Sequence, residues 1–276
     1  MKKVAIQGTK GSFHEEAAYK YFGNEIETLE CDTFKLTCEK LKSGEADYVM
    51  MAIENSIAGS LLPNYALLRD YHFSIVGEVY LNIQLHLLAL PGVKLEEIKH
   101  VESHPIALRQ VSDYLEEHPT FKVSEGMDTA SCAKKIVELQ LRDTAAVANK
   151  LAAELYGLQI IDRRIETIKK NFTRFLVLAR HEMADSKETK ANKASLLFQT
   201  DNSVGALAKI LQLLAEESIN MSKIQSMPVL GKRNEYDFYV DVEWKKKENY
   251  DRAITKVLKH TINFNILGEY SKNEKV

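Results

Sequence analysis

The sequence predicts an α/β chain in two parts, a long body of alternating strands and helices followed by a small βαββαβ unit. Three observations predict it. Short apolar runs alternate with helical patterns from residue 3 to about residue 180. A polar stretch without period, residues 181–193, then interrupts the pattern as a linker would. Beyond it the patterning resumes as strand, helix, strand, strand, helix, strand, which is the ferredoxin-like order. At 276 residues the chain is also long for one domain.

The elements follow in order. Val4-Ala5-Ile6 reads as a strand, Gly8-Thr9-Lys10-Gly11-Ser12 as a turn, and Phe13 to Phe22 as a helix with Ser12 as its cap. Two glycines before a helix let backbone N–H groups approach an anion, although an ordinary βα turn reads the same way. A strand at Ile26 to Leu29, a helix at Phe34 to Leu41 and a strand at Tyr48 to Ile53 continue the alternation. The loop Glu54-Asn55-Ser56-Ile57-Ala58-Gly59-Ser60 follows, and its polar groups either cap the next helix or line a crevice. From Ser74 to Leu90 the chain is extended in character, suited to carrying it from one lobe to another. The alternation restarts at Lys99 to Glu102, with Ser103 as the expected cap and Pro105 in the first turn of a helix reaching Leu115. Phe121 to Val123, a helix capped at Asp128, Ala145 to Ala148 and a helix closed by Gly157 complete this part.

Composition narrows the function. With 37 Lys+Arg against 39 Asp+Glu the formal net charge is −2, so no broad basic field attracts nucleic acid or an anionic membrane. A small-molecule protein is expected. The three cysteines, Cys31, Cys38 and Cys132, form no CxxC pair and read as reduced thiols. The apolar start is too short for a signal peptide or a spanning helix, so the cytoplasm is expected.

One stretch organises the reading: Asn171-Phe172-Thr173-Arg174-Phe175 lies between Lys169-Lys170 and the apolar run that continues to Ala179. Its polar side chains fall at the mouth of a buried strand, where α/β proteins place chemistry. Thr173 offers a hydroxyl and Arg174 a cationic fork for a carboxylate or phosphate. Taken alone, the pair also reads as a β-branched strand residue and an edge charge.

Together these stretches resemble the prephenate dehydratases that carry a C-terminal ACT regulatory domain. The motifs are Gly11-Ser12-Phe13, Ile53-Glu54-Asn55-Ser56 with Gly59, Leu85-His86-Leu87-Leu88, Ser103-His104-Pro105 and Asn171 to Phe175. Gly205-Ala206-Leu207 and Ile219-Asn220 to Pro228 follow in the C-terminal part. The resemblance implies a catalytic domain at 1–180, two-lobed like the type II periplasmic binding proteins. Its lobes would be about 1–78 with 161–180, and 79–160. A linker at 181–193 and an ACT domain at 194–276 complete the expected layout.

The implied reaction converts prephenate to phenylpyruvate in L-phenylalanine biosynthesis, losing carbon dioxide and the ring hydroxyl as water. No cofactor or metal is implied, because aromatisation drives the reaction. Thr173 would be the catalytic hydrogen-bond donor and Arg174 the clamp on the side-chain carboxylate. Gly11, Ser12, Phe13, Asn55, Ser56, Gly59 and Phe175 would bind substrate. Feedback by L-phenylalanine would act through Gly205, Ala206, Leu207, Asn220, Gln225 and Ser226, at an interface between ACT domains of a homodimer or homotetramer. A chain ending near Lys193 would then fold and stay active without its regulator.

Alternatives remain at this point. An arogenate dehydratase differs only by an amino group on the substrate side chain, and a non-catalytic amino-acid sensor would share the fold. Prephenate against arogenate, dimer against tetramer, and the roles of His86 and His104 are open. His100 and His104 straddle a strand-to-helix boundary, which argues against a zinc site. Cys132 reads as a core residue. Where the family's regulatory motif reads Glu-Ser-Arg-Pro, this chain has Gln225-Ser226-Met227-Pro228, which puts the strength of phenylalanine control in question.

Overall fold

The computed structural model describes residues 1–183 and 191–273; most of the expected linker lies outside the described residues. The chain opens with β1 (Lys2–Gln7), α1 (Phe13–Phe22), β2 (Ile26–Cys31), α2 (Phe34–Ser43), β3 (Tyr48–Asn55), β4 (Gly59–Ser60), α3 (Leu62–Tyr71) and β5 (Ser74–Asn82). It continues with β6 (His86–Ala89), β7 (His100–Ser103), α4 (Pro105–Gln110), α5 (Ser112–Glu117), β8 (Lys122–Glu125), α6 (Thr129–Glu138), β9 (Thr144–Ala148), α7 (Lys150–Tyr156) and β10 (Gln159–Asp162). Then come β11 (Phe172–Ala179), β12 (Lys193–Gln199), α8 (Ala206–Glu216), β13 (Asn220–Pro228), β14 (Tyr236–Glu243), α9 (Lys247–Val257) and β15 (Ile262–Tyr270).

The first sheet runs β2-β1-β3-β11-β5, with β4 paired to β3, and the second runs β10-β6-β9-β7-β8. Both repeat one plan. In each, a strand from the far side of a chain crossover sits beside the third strand of a parallel βαβ series: β11 beside β3, and β6 beside β9. The expected continuous strand over 74–90 is two strands in different sheets, broken at 83–85. The expected helix from Pro105 to Leu115 is likewise broken at Val111. His104, not Ser103, caps its start: His104 Nδ1 accepts from Ile106 N at 3.2 Å, whereas Ser103 belongs to β7 and donates to Val147 O at 2.6 Å.

The chain divides into two compact units, one of Met1–Leu67 with Val79–Leu176, the other of Leu68–Glu78 with the chain from Val177 onward. In the first unit the strands are almost wholly apolar where they are covered, as in Val49 to Ile53 and Ala145 to Ala148. Its two sheets are tied by polar contacts from the first loop and helix. Tyr156 Oη donates to Lys10 O at 2.6 Å, and Asn149 Nδ2 donates to Glu16 Oε2 at 2.8 Å.

The second unit carries the β13-β14-β12-β15 sheet. Its core gathers Leu196, Phe198, Ile210, Leu214, Val240 and Val257, with Trp244 stacked on Tyr250 at 3.9 Å between ring centroids. Leu68–Glu78 packs within this same unit, where any Cβ at Gly268 would collide with the carbonyl of Ile75. Lys193, expected in the linker, begins β12 and is buried with Glu78: its Nζ lies 3.0 Å from both carboxylate oxygens. Asn273 N and Nδ2 donate to Glu78 Oε1 and to the Glu78 carbonyl, and Lys272 holds Glu243, Lys193's second partner. A chain cut near Lys193 would therefore strip this cover from Leu68–Glu78. Among the described residues no helix is long and apolar enough to cross a membrane.

Candidate active site

A cavity of about 330 Å³ opens within the first unit, walled by elements of both sheets. Thr173 and Phe175 enter it from β11, and Arg174 does not. Strand alternation explains the split, since residues two apart share a face and the residue between them turns to the other. Arg174 is buried and is not among the residues lining the cavity, so the clamp expected of its fork is not seen on this wall.

Thr173 is held by an amide whose every valence is used. Asn55, the last residue of β3, donates from Nδ2 to Thr173 Oγ1 at 2.9 Å and to Asn171 Oδ1 at 2.7 Å. Its Oδ1 accepts from Ile57 N at 2.9 Å and Ala58 N at 2.8 Å. Two backbone donors on the oxygen fix which end of the amide is which. Thr173 Oγ1 therefore accepts from Asn55, and its own proton remains for a group in the cavity. Ser56 does something else: its Oγ accepts from Phe172 N at 2.9 Å while its own N donates to Phe172 O at 2.8 Å. It clamps the start of β11 to the end of β3 and is not among the residues lining the cavity.

The start of α1 forms another wall through Ser12, Phe13 and His14. Ser12 Oγ accepts from Glu15 N at 3.4 Å, and the buried Glu15 reaches back to Gly11 N at 2.5 Å. Gly11 itself stays off the wall. It has φ +84° and a Cβ there would stand 3.1 Å from Ala152 Cα, so it permits close approach of α7 rather than contact with a ligand. Gly59, at φ +83° in β4, similarly turns the loop that presents Ala58 and Ser60.

Other wall residues were missed or left open by the sequence. Gln7, His14, Gln110, Asp128 and Thr129 line the cavity, and so does His104. His104 Nδ1 is committed to its capping bond, which puts the proton of the neutral ring on Nε2; burial holds the imidazole below its usual range, against the opposing charge of Asp128. His86 lies off the wall, and its Nδ1 accepts from Arg164 N at 3.0 Å, a structural bond. His14 packs edge-on against Phe34 and Phe175, its Nε2 is buried without a partner among the described residues, and burial pushes it down to about 4. Cys132 is a buried free thiol raised by burial to about 12, which suits a core residue and not a nucleophile.

In the second unit Gly205 is the N-cap of α8, with φ +83° and no side-chain cap, and Ala206 and Leu207 form the first turn. Asn220, Gln225 and Ser226 lie along β13, a sheet edge. Gln225 turns back to donate to the carbonyl of Ser226 at 2.9 Å.

The prephenate dehydratase family model matches residues 4–183. Arogenate dehydratase 5, chloroplastic, of Arabidopsis thaliana is 37% identical, the match covering 97% of this chain and 67% of that protein. Among solved structures, one described as GqqA, a novel type of quorum-quenching acylase, is similar with TM-score 0.89 and 31% identity over 99% of each chain. Prephenate dehydratase from Arthrobacter aurescens in complex with L-Phe is similar with TM-score 0.86 and 27% identity, covering 98% of this chain and 89% of that one.

Proposed function

The chain belongs to the prephenate dehydratase family, and from that premise we propose how its cavity converts prephenate to phenylpyruvate in L-phenylalanine biosynthesis. The observation that carries the proposal is the Asn55–Thr173 bond, because it leaves the hydroxyl of Thr173 a donor aimed at the cavity. As the ring carboxylate leaves as carbon dioxide, its bonding pair enters the ring and the 4-hydroxyl departs. Thr173 hydrogen-bonds the departing oxygen, where negative charge grows, and the released hydroxide takes a proton from solvent to become water. A donor placed for the transition state and not for the ground state raises kcat.

Phe13, Phe175, Ile83 and Leu85 give the ring apolar walls, and Ala107 gives it room. With Arg174 behind the wall, the side-chain carboxylate is received at the start of α1, where Ser12 stands beside unpaired first-turn N–H groups and the positive end of the helix dipole. The enzyme is thus a carbon–oxygen lyase that acts without help from a cofactor, in a catalytic domain spanning 1–180. Purified protein given prephenate should form phenylpyruvate, followed by its absorbance in alkali; no phenylpyruvate would overturn prephenate as the substrate.

The C-terminal βαββαβ unit, residues 194–276, is read as an ACT regulatory domain. L-phenylalanine is its expected effector, supported by the L-Phe complex of the Arthrobacter relative. The site would use Gly205, Ala206 and Leu207 of one copy with Asn220, Gln225 and Ser226 of another, in a homodimer or homotetramer. Gln225 and Met227 replace a charged pair, so inhibition should be weaker than where that pair is present. Titrating activity with phenylalanine, alongside sedimentation, tests both points; an unresponsive monomer would overturn them. A cytoplasmic setting is supported by three unpaired, buried cysteines.

A further inference from the structure

The cavity wall carries one formal charge, and its sign is unexpected for an enzyme of anionic substrates. Among the lining residues there is no lysine or arginine, and Asp128 is the single carboxylate. Asp128 has a structural duty that accounts for half of it. As N-cap of α6, its Oδ1 accepts from Ser131 N at 2.8 Å and from Thr9 Oγ1 at 3.2 Å. Among the described residues its Oδ2 has only the long end of the Thr9 contact, at 3.4 Å. A cap needs one oxygen, and asparagine or serine would serve it as well without placing a charge in the cavity.

The position of that oxygen is informative. A Cβ built on Gly8, which has φ +95°, would lie 3.6 Å from Ser12 Cβ and 3.8 Å from Asp128 Oδ2. Ser12, at the start of α1, and Asp128, at the start of α6, therefore flank one small volume beside Gly8. One side of it offers a hydroxyl and helix N–H groups, suited to a carboxylate. The other offers a carboxylate oxygen, suited to a cation. His104 does not neutralise Asp128, because burial keeps its ring toward the neutral form.

We propose that Asp128 is a specificity-determining residue that receives the ammonium of an α-amino acid side chain, so that the cavity accepts the amino form of its substrate, L-arogenate, with its carboxylate at Ser12 and its ammonium at Asp128 Oδ2. This rests on the dehydratase reading above and names the substrate class within it. Prephenate brings two carboxylates and a keto oxygen, all repelled by Asp128. Arogenate brings the same carboxylates with a compensating positive charge next to one of them. The difference is electrostatic and acts in a partly desolvated cavity, where a paired charge counts for more than in water.

The test compares kcat/KM for arogenate and for prephenate on the full chain and on Asp128→Asn, with melting temperature recorded for each. Asparagine keeps the cap and the size and removes the charge. The arogenate-to-prephenate ratio is expected to fall by about tenfold or more, the scale on which a buried polar group discriminates between partners. An unchanged ratio, or equal loss on both substrates, would overturn the proposal and leave Asp128 a helix cap. Wild-type protein that turns over prephenate and not arogenate would also overturn it, with the dehydratase reading intact. Turnover of neither would overturn that reading first. If Asp128→Asn folds poorly, Asp128→Ser, which also caps, gives the same ratio.

Discussion

Two buried polar clusters of the molecule are built on opposite principles. Around Asn55, Asn171 and Thr173 the groups are neutral, the amide of Asn55 is saturated, and yet the cluster stays open: Asn171 Nδ2 has no partner among the described residues, and Thr173 keeps a proton for the cavity. Around Glu78, Lys193 and Glu243 the groups are charged, and the neutral Asn273 closes on Glu78. The open cluster can act on a ligand because its bonding is incomplete. The closed one holds strands together because nothing in it is left over.

Breaking the closed cluster should give the largest effect. Lys193→Met strands Glu78 as a buried charge and should destabilise the protein by about 3–5 kcal/mol by urea unfolding. Adding Glu78→Leu should return most of that loss, since an apolar pair can replace a buried ion pair. No recovery would mean that the charges hold a register that packing cannot.

Thr173→Ala probes the open cluster and should lower kcat by about 10²–10³ with little change in melting temperature. If stability fell and turnover did not, Thr173 would belong with Lys193 as a structural group.

Acid acts next, on the buried histidines outside both clusters. Burial depresses His14 to about 4 and also lowers His86 and His104, whereas the unfolded chain takes up these protons near 6.5. The unfolded state then binds more protons between those values. Stability from this source is whole above about pH 6.5 and is lost as pH falls toward about 4. Denaturation midpoints measured across that window should drop, and His14→Phe should flatten the slope.

The smallest effect concerns Arg174. Placed behind the wall, Arg174→Lys should leave KM within about twofold, whereas loss of a bidentate substrate clamp would raise it clearly.

Much of this was legible in the sequence because periodicity is local. The βα alternation, the loop at Asn55 and the strand mouth at Thr173 all follow from apolar spacing and turn residues. Arg174 was given to the substrate because the motif named it a ligand, while period-two alternation, visible in the same five residues, sends it to the face opposite Thr173. Asp128 was read as a cap, which it is, but the approach of Gly8 and Ser12 is set by tertiary folding more than a hundred residues away. The shared plan of the two sheets leaves no repeat in the sequence, since topology constrains connections and not side chains. Lys193 looked like linker because lysine is rarely buried, and only its contact with Glu78 shows why it is.

The clamp between Ser56 and Phe172 bears on chemical ageing. An asparagine followed by serine hydrolyses through a ring formed when the next backbone nitrogen attacks the side-chain carbonyl. Here that nitrogen is engaged with the Phe172 carbonyl, and the Asn55 amide is pinned at both ends. Ring closure requires both to let go. An aspartate at position 55 would set oxygen against Asn171 Oδ1 and draw the Thr173 proton to itself and away from the cavity, so the damage would silence the site; while the fold persists, its own hydrogen bonds keep that clock stopped.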